Sequence, residues 1–270
     1  MSGLVNESAR IVSNENVGPR LFFMVLESPY IARNVKPGQF VHMKVPGAES
    51  HVLRRPFSVY ASDPDAGTID VLYQEVGTLT RFMPTLGNET VEMIGPIGNT
   101  WTAPERFDNG ICSHALLVGG GVGAAPLFML AEELVHIGCQ TDVVLGAQTF
   151  DALVARERYT TLLGCEPSCA TDDGSYGRAG FCTSLVEERL AQGSRSDGKP
   201  YDYLAVCGPE PLMKIVASMG ADVGLYTEVS MEKRMACGIG ACLSCVVDTK
   251  GGKRRSCVDG PIFDASEIVW

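Results

Sequence analysis

The last part of the chain holds four closely spaced cysteines, and their pattern constrains the fold more than any other feature. The pattern is Cys237-x4-Cys242-x2-Cys245-x11-Cys257. Intervals of four and then two residues, followed by a more distant cysteine, are typical of one class of 2Fe–2S sites. The two glycines between the first two cysteines let the backbone curl tightly and bring amide groups near the cluster sulfurs. The pattern therefore predicts a 2Fe–2S cluster with these four cysteines as its metal ligands.

Zinc is the main alternative occupant of this motif. Structural zinc sites favour paired CxxC sequences, whereas the tail holds a single one, from Cys242 to Cys245. The spacing favours iron–sulfur. A zinc-binding interaction module on a nucleotide-binding scaffold is the alternative from a different functional class, and it would be colourless.

Charge and composition narrow the class of protein. The 270 residues are 45% hydrophobic, enough to bury a substantial core. The net charge of -10 comes without clusters of Lys and Arg, so we predict no nucleic-acid partner. Apolar runs fall far short of the roughly 18 to 20 residues of a membrane helix, and the first residues lack a signal-peptide pattern. We therefore predict a cytoplasmic protein that does not insert into a membrane.

The other cysteines and the histidines carry less information. We interpret five cysteines as small core or surface thiols, the usual role of unpaired cysteine in a reducing compartment: Cys112, Cys139, Cys165, Cys169 and Cys182. The histidines lie in ordinary strand or helix contexts, and none is assigned a catalytic role: His42, His51, His114 and His136. No catalytic residue is predicted in this chain.

Hydrophobic patterning changes twice along the chain and predicts a multi-domain protein. Residues 1–104 read as short alternating runs between Gly and Pro turns, which indicates an antiparallel barrel or sandwich, and we predict a β-barrel. Residues 112–222 alternate apolar strands with helices, which indicates an α/β domain with a parallel sheet. Residues 225–270 form a small Cys-rich and Gly-rich module that contains the four cysteines.

A glycine-rich turn follows an apolar run in the predicted α/β domain. The sequence GGGVGAAP links a strand to a helix, and such a turn directs amide groups and the helix dipole at a pyrophosphate. The predicted contacts are Gly119, Gly120, Gly121 and Gly123. A plain tight turn would also explain the glycines. The acidic ribose-binding residue expected about 20 positions later is missing, because Gly146-Ala147-Gln148 ends the next strand.

Two short motifs in the first domain suit a flavin. Arg55-Pro56-Phe57-Ser58 begins a predicted barrel strand, and Gly77-Thr78 follows later in the chain. A guanidinium fits a pyrophosphate, a serine hydroxyl can bond to a flavin edge, and the Gly-Thr amides can bind phosphate. An ordinary strand with a salt-bridged arginine, followed by a turn, is the alternative.

The chain carries, in this order, the RPFS and GT motifs, the GGGVGAAP turn, the CGPEPLM segment and the cysteine tail. This combination resembles the ferredoxin-NADP reductase superfamily over almost the whole chain. The resemblance implies that FAD contacts both flavin motifs, and that a third segment runs along the flavin: Leu72, Tyr73 and Gln74. It also implies that NAD(H) faces the glycine turn and a second segment: Cys207, Gly208 and Pro209. Cys207 would lie close to the nicotinamide ring. The superfamily does not use the acidic ribose residue.

Three segments narrow the choice within the superfamily: the tail MEKRMACGIGACLSCVV, the later RRSCVDGPIFDASEIVW and the TDDGSYG loop. They resemble the electron-transfer subunits of NAD-dependent dihydroorotate dehydrogenases. The resemblance implies a partner, an FMN-containing catalytic subunit that oxidises dihydroorotate to orotate in UMP biosynthesis, in a heterotetramer of two plus two chains. The alternative is a small subunit of an NADH-dependent ferredoxin:NADP oxidoreductase, a hydrogenase or a sulfur-reducing complex. Aspartate is typical there at the position of Cys237.

Two features depart from that family pattern. The interval before Cys257 is short and crosses Lys250-Gly-Gly-Lys253, which predicts a compact hairpin. Gln148 stands where a basic residue is expected, so the choice between NADH and NADPH stays open.

Overall fold

The computed structural model describes residues 3–47, 52–102 and 112–270. The chain divides into two compact units. The first comprises Met1–Thr100 with Met231–Ile262, and the second comprises Trp101–Ser230 with Phe263–Trp270. The cysteine-bearing segment therefore packs as part of the first unit. The domain limits of 1–104, 112–222 and 225–270 stay predictions.

An antiparallel sheet of seven strands forms the first unit and confirms the predicted antiparallel arrangement. Its strands and two short helices are β1 (Val5–Gly18), β2 (Leu21–Glu27), α1 (Pro29–Asn34), β3 (Phe40–Lys44), β4 (Arg55–Ser58), β5 (Ala61–Asp63), β6 (Thr68–Gln74), α2 (Thr78–Phe82) and β7 (Thr90–Ile97). The order across the sheet is β4-β3-β7-β1-β2-β6-β5. Alternate residues of β1 and β7 point into the core, the period-two pattern of a half-buried strand.

The described strands form an open sheet where a barrel was predicted. The edge strands β4 and β5 are not hydrogen-bonded to each other. Only Val59 and Tyr60 separate them in the chain, and the three Cα steps from Ser58 to Ala61 span at most about 11 Å. The two edges must therefore approach one another, so the sheet curves as a barrel does without closing its hydrogen-bond ladder.

A largely parallel sheet with covering helices forms the second unit, as predicted. Its elements are β8 (His114–Gly120), α3 (Phe128–His136), β9 (Gln140–Ala147), α4 (Arg156–Leu163), β10 (Ser168–Thr171), β11 (Arg178–Ala179), α5 (Thr183–Gln192), β12 (Tyr203–Cys207), α6 (Glu210–Asp222) and β13 (Tyr226–Ser230). The order is β11-β10-β9-β8-β12-β13, with parallel pairing along the row. All seven residues of β8 are buried, as expected for a central parallel strand.

The C-terminal region adds a hairpin and an edge strand. The strands β14 (Val246–Thr249) and β15 (Gly252–Arg255) pair antiparallel, which confirms the hairpin predicted at Lys250-Gly-Gly-Lys253. The strand β16 (Ile262–Asp264) lies next to β13 at the edge of the second sheet. No described helix has the length and apolar character needed to cross a membrane.

Candidate functional site

The four predicted cluster ligands fall into two pairs within the first unit. The Sγ atoms of Cys245 and Cys257 lie 3.3 Å apart, and both residues are buried. Cys242 is exposed and hydrogen-bonds with Cys237. A 2Fe–2S cluster has two irons and is held by four thiolates, so two pairs of cysteines suit it. In the described parts of the chain, no three His, Cys, Asp or Glu side chains converge on a point that could hold a single metal ion.

The backbone of the cysteine loop requires glycine at two positions. Gly238 has φ +68° and Gly240 has φ +84°, in the left-handed region that side chains rarely adopt. A Cβ at Gly240 would also lie 2.6 Å from Cγ2 of Val258. Arg255 supports the same turn, because its Nη1 donates to the carbonyl of Gly240 at 3.2 Å.

The loop also holds two strained or polar features around Cys242. Leu243 has φ +59°, a conformation that costs a branched residue energy and often marks a functional segment. The Ser244 Oγ accepts the amide of Ala236 at 3.0 Å and lies 3.2 Å from the Cys242 Sγ. These contacts with Ser244, helped by Cys237, lower the pKa of Cys242 to about 6.

In the buried pair, the pKa of Cys257 is shifted in the opposite direction. Burial, followed by the hydrogen bond from Cys245, raises the pKa of Cys257 to about 12. Iron takes the thiolate form of cysteine, so loading of the site would release the thiol protons. The pairing, the glycine turns and the exposed low-pKa thiol of Cys242 together fit an iron–sulfur group. The assignment of each cysteine as a ligand stays a prediction.

The RPFS motif forms β4, an edge strand of the first sheet. Arg55 donates through Nη1 to the carbonyls of Leu53 at 2.8 Å and Arg54 at 3.1 Å. Within the described residues it makes no ion pair, unlike Arg54, which lies 3.3 Å from the Glu92 carboxylate. The interpretation of Arg55 as a salt-bridged strand residue is therefore not supported, and its guanidinium has capacity for an anion.

Ser58, at the end of the same strand, has a partner that no sequence motif identifies. Its Oγ donates to Oε1 of Glu232 at 3.3 Å. The surrounding protein raises the pKa of Glu232, and the Ser58 hydrogen bond opposes that shift. The two residues are 174 positions apart, so their contact depends on the tertiary fold.

The other predicted flavin residues lie on β6 and at the start of α2. Tyr73 is buried, donates to Asn14 Oδ1 at 3.0 Å, and meets the ring of Phe57 edge-on with centroids 6.1 Å apart. Leu72 is also buried, whereas Gln74 is exposed. Phe57 of the RPFS strand and Tyr73 thus belong to one aromatic contact.

Gly77 and Thr78 begin α2, with Gly77 at the N-cap. The Thr80 Oγ1 accepts the amides of Val76 at 2.9 Å and Gly77 at 3.0 Å, so the amide of Gly77 already has a partner. A Cβ at Gly77 would meet no atom within 4 Å. The position therefore faces open space, which suits a close approach by a ligand.

The second unit brings its two predicted cofactor segments together. Gly119 and Cys207 are register partners at the carboxyl ends of the adjacent strands β8 and β12. A Cβ at Gly123 would lie 2.5 Å from the Cys207 carbonyl oxygen, and one at Gly208 would lie 3.1 Å from the backbone of Gly120. The glycines are needed because the two turns touch backbone to backbone. Gly121 differs: it has φ +55° and faces open space.

Pro209 caps the amino end of α6 and completes this group of turns. The predicted residues of both segments thus form one surface at the carboxyl ends of two parallel strands, where ligands bind in open α/β sheets. Cys207 itself is buried. Contact between these residues and a nicotinamide cofactor stays a prediction.

One buried side chain near the cysteine loop was not selected from the sequence. His42 of β3 is fully buried, and neither ring nitrogen has a hydrogen-bond partner of acceptable geometry among the described residues. Burial lowers its pKa to about 4, while backbone contacts with Arg54 and Cys237 oppose the shift. Alternating burial in a strand gives no sign that a histidine faces another loop, so only the fold reveals this contact. His51 lies outside the described residues.

Comparisons with known proteins find matches both to the cysteine-bearing segment and to the second unit. Residues 232–269 match the iron–sulfur cluster binding domain of dihydroorotate dehydrogenase B, and residues 117–218 match the oxidoreductase NAD-binding domain. The chain is 34% identical over 267 residues to the "Dihydroorotate dehydrogenase B (NAD(+)), electron transfer subunit" of Desulforamulus reducens, covering 97% of each chain. It is 36% identical over 270 residues to the same-named protein of Geobacillus thermodenitrificans, covering 97% of this chain and 98% of that one.

Solved structures share the fold. The structure of an NADH-dependent reduced ferredoxin-NADP oxidoreductase, described for flavin-based electron bifurcation, matches with a TM-score of 0.85 and 28% identity, covering 100% of this chain and 92% of that one. A ferredoxin NADP+ reductase from Neisseria gonorrhoeae, with bound FAD and NADP, matches with a TM-score of 0.66 at 17% identity, covering 84% and 93%. The second likeness is one of fold alone.

Proposed function

Because the chain belongs to the family of electron transfer subunits of NAD(+)-dependent dihydroorotate dehydrogenase B, we propose that it passes electrons between NAD(H) and a separate catalytic subunit through FAD and a 2Fe–2S cluster. A nicotinamide exchanges two electrons as hydride, an iron–sulfur cluster exchanges one at a time, and a flavin can do both. The observation that carries the proposal is the pairing of Cys237 with Cys242 and of Cys245 with Cys257.

The residues of the first unit would bind the flavin and the cluster. The guanidinium of Arg55 would pair with the flavin pyrophosphate, and the hydroxyl of Ser58, held by Glu232, would orient toward the isoalloxazine. The open position at Gly77 would admit the phosphate. The four cysteines would hold the cluster as thiolates, with the glycine turns of the loop shaping the backbone around it.

The residues of the second unit would bind the nicotinamide cofactor. The turns around Gly119 and Gly208 present backbone rather than charged side chains, which suits the close approach of a pyrophosphate. Cys207 lies at the junction of the two turns. This surface would position the nicotinamide, and the buried strands behind it would exclude water from one side.

The catalytic partner supplies the chemistry on dihydroorotate. We expect it to contain FMN, to oxidise dihydroorotate to orotate in UMP biosynthesis, and to form a heterotetramer of two chains of each kind. The family name supports a partner, since an electron transfer subunit needs a subunit to serve. A cytoplasmic location fits cysteines that must remain reduced to ligate iron.

The test is made on the purified chain. We expect visible absorption bands of both flavin and a 2Fe–2S cluster, and NADH oxidation with an artificial acceptor. We expect no oxidation of dihydroorotate until the catalytic subunit is added. A colourless protein would support the zinc alternative, and orotate formation by the single chain would overturn the division of labour.

A second candidate function is supported by the likeness to the NADH-dependent reduced ferredoxin-NADP oxidoreductase. In that case the chain would serve a ferredoxin-linked, hydrogenase or sulfur-reducing complex. Copurification separates the two candidates: a partner that contains FMN and acts on dihydroorotate supports the first, and a partner that contains cubane clusters supports the second. Cys237 favours the first, because aspartate is typical at this position in the second group.

A further inference from the structure

The side chain of His42 joins two parts of the first unit that the proposed function uses separately. His42 lies in β3, directly opposite Pro56 of the RPFS strand in the antiparallel register. On its other side, a Cβ at Gly238 would lie 2.7 Å from the Nδ1 of His42, so the imidazole rests against the turn that follows Cys237. One residue therefore touches the cysteine loop from the strand next to the predicted flavin strand.

The packing around His42 brings other parts of the cysteine segment close to β3. Phe40, two residues earlier in the strand, belongs to one buried cluster with Met235, Cys245 and Cys257. Phe40 thus shares a buried cluster with the second pair of cysteines, while His42 contacts the turn of the first pair. The strand β3 therefore lies close to both pairs.

The ring nitrogens of His42 lack hydrogen-bond partners among the described residues. The ring is fully buried, yet among the described residues neither nitrogen makes a hydrogen bond of acceptable geometry. Buried polar groups are nearly always satisfied, and an exception calls for an explanation such as an absent bound group. An imidazole in either protonation state carries at least one N–H donor. The sulfurs of an iron–sulfur group accept such hydrogen bonds.

We propose that His42 is a positioning residue that holds the Cys237–Gly238 turn against the flavin-binding sheet and donates a ring N–H to a sulfur at the Cys237 end of the bound cluster. The proposal rests on the proposed function, because it requires the loop to hold iron and sulfur. It also explains why position 238 is glycine on grounds beyond its positive φ, since any side chain there would collide with the imidazole.

The expected effect is on the reduction potential of the cluster. Reduction adds negative charge, which a hydrogen bond to sulfur stabilises, so removal of the donor makes the potential more negative. His42→Leu removes the donor and keeps an apolar side chain of similar bulk. His42→Gln keeps an N–H donor. Met43→Leu is the matched control, because Met43 is the next residue of the same strand and is also fully buried.

The three variants and the wild-type chain are compared with their native cofactors. Iron, sulfide and flavin contents are measured first, and then the cluster is titrated with EPR detection. In His42→Leu we expect about a tenfold lower ratio of reduced to oxidised cluster at the wild-type midpoint, which is about 59 mV for one electron. We expect His42→Gln to recover most of this change and Met43→Leu to show none. A midpoint in His42→Leu equal to that of Met43→Leu would overturn the proposal.

A second measurement is made on the wild-type protein, with His42→Gln as its control, and guards against loss of the cluster in His42→Leu. Wild-type protein grown with ¹⁵N-histidine should show a weak ¹⁵N coupling in pulsed EPR of the reduced cluster, and the coupling should vanish in His42→Gln. Absence of the coupling in the wild-type protein would overturn the proposal. Failure of the proposed function would look different, because the wild-type protein would then give no 2Fe–2S signal at all.

Discussion

The candidate site of the first unit consists of side-chain groups, whereas that of the second unit consists of backbone groups. In the first unit the site consists of side chains: paired thiols at Cys245 and Cys257, and the guanidinium of Arg55. In the second unit it consists of backbone: Gly123 lies so close to Cys207 that a Cβ would fall 2.5 Å from the carbonyl oxygen. A site made of side chains should lose its cofactor when a functional group is removed. A site made of backbone should lose its cofactor when an atom is added.

The difference follows from what each cofactor needs. Iron requires specific ligand atoms, which only certain side chains supply. A dinucleotide pyrophosphate needs amide groups and space, which strand ends and glycine turns provide. The same contrast predicts which substitutions damage one site and spare the other, and the following experiments test it in order of decreasing effect.

Cys245→Ser should remove nearly all of the cluster. Cys245 is buried beside Cys257, and loss of one thiolate leaves an iron without its full ligand set. Iron content, sulfide content and the EPR signal should fall to background, while flavin content and NADH binding stay near the wild-type level. Cys165→Ser is the control, since Cys165 is an exposed free thiol outside the loop. Equal iron retention in both variants would show that Cys245 is not a ligand.

Arg55→Lys should weaken flavin binding by roughly ten- to a hundredfold, because a lysine cannot reproduce the planar fork of a guanidinium on a pyrophosphate. Flavin retained after gel filtration and the dissociation constant from fluorescence quenching measure the effect. Arg54→Lys is the matched control on the neighbouring arginine, which pairs with Glu92. If both variants lose flavin to the same extent, Arg55 has no special role.

Gly123→Ala should weaken NADH binding about tenfold and lower the unfolding free energy by about 1–3 kcal/mol, because the new methyl group forces two touching turns apart. Isothermal titration and thermal unfolding measure the two effects. The 2Fe–2S spectrum should be unchanged. In the control Gly87→Ala, the added Cβ meets only the Glu89 carboxylate at 3.9 Å, and we expect wild-type behaviour.

Ser58→Ala should give the smallest effect, a slowing of flavin reduction by NADH of roughly three- to tenfold, the range expected for loss of one hydrogen bond. Stopped-flow absorbance at the flavin band measures the rate, and the flavin spectrum reports the changed contact. Ser62→Ala is the control, because Ser62 donates to the carbonyl of Ala32 and belongs to neither predicted site. A rate equal to that of the control would remove Ser58 from the flavin site.

Several elements could be predicted because local patterns carry them. After His114, the strand β8 is an uninterrupted apolar run, so its central position in a parallel sheet follows from burial on both faces. The hairpin of β14 and β15 follows from the Lys250-Gly-Gly-Lys253 turn. The open edge between β4 and β5 could not be predicted, because closure depends on the curvature of the whole sheet rather than on any one strand.

The contacts that the sequence missed all join distant segments. Ser58 meets Glu232 across 174 positions, and His42 meets Gly238 through the packing of the cysteine loop on β3. Neither Glu232 nor His42 stands in a motif, so no local signal marks them. A residue in a motif is recognised by its neighbours in the chain, but a supporting residue is recognised only by its neighbours in space.

The sequence by itself predicted the chemistry of the cysteine tail, because thiols at short intervals along the chain can reach one cluster whatever surrounds them. It also determined the two kinds of sheet, since apolar periodicity is a local property. Only the tertiary structure decided that the tail packs with the N-terminal sheet, that its cysteines form two pairs, and that a buried histidine lies beneath them. These depend on long-range packing, in which the free energy of burial selects among partners that lie far apart in the chain.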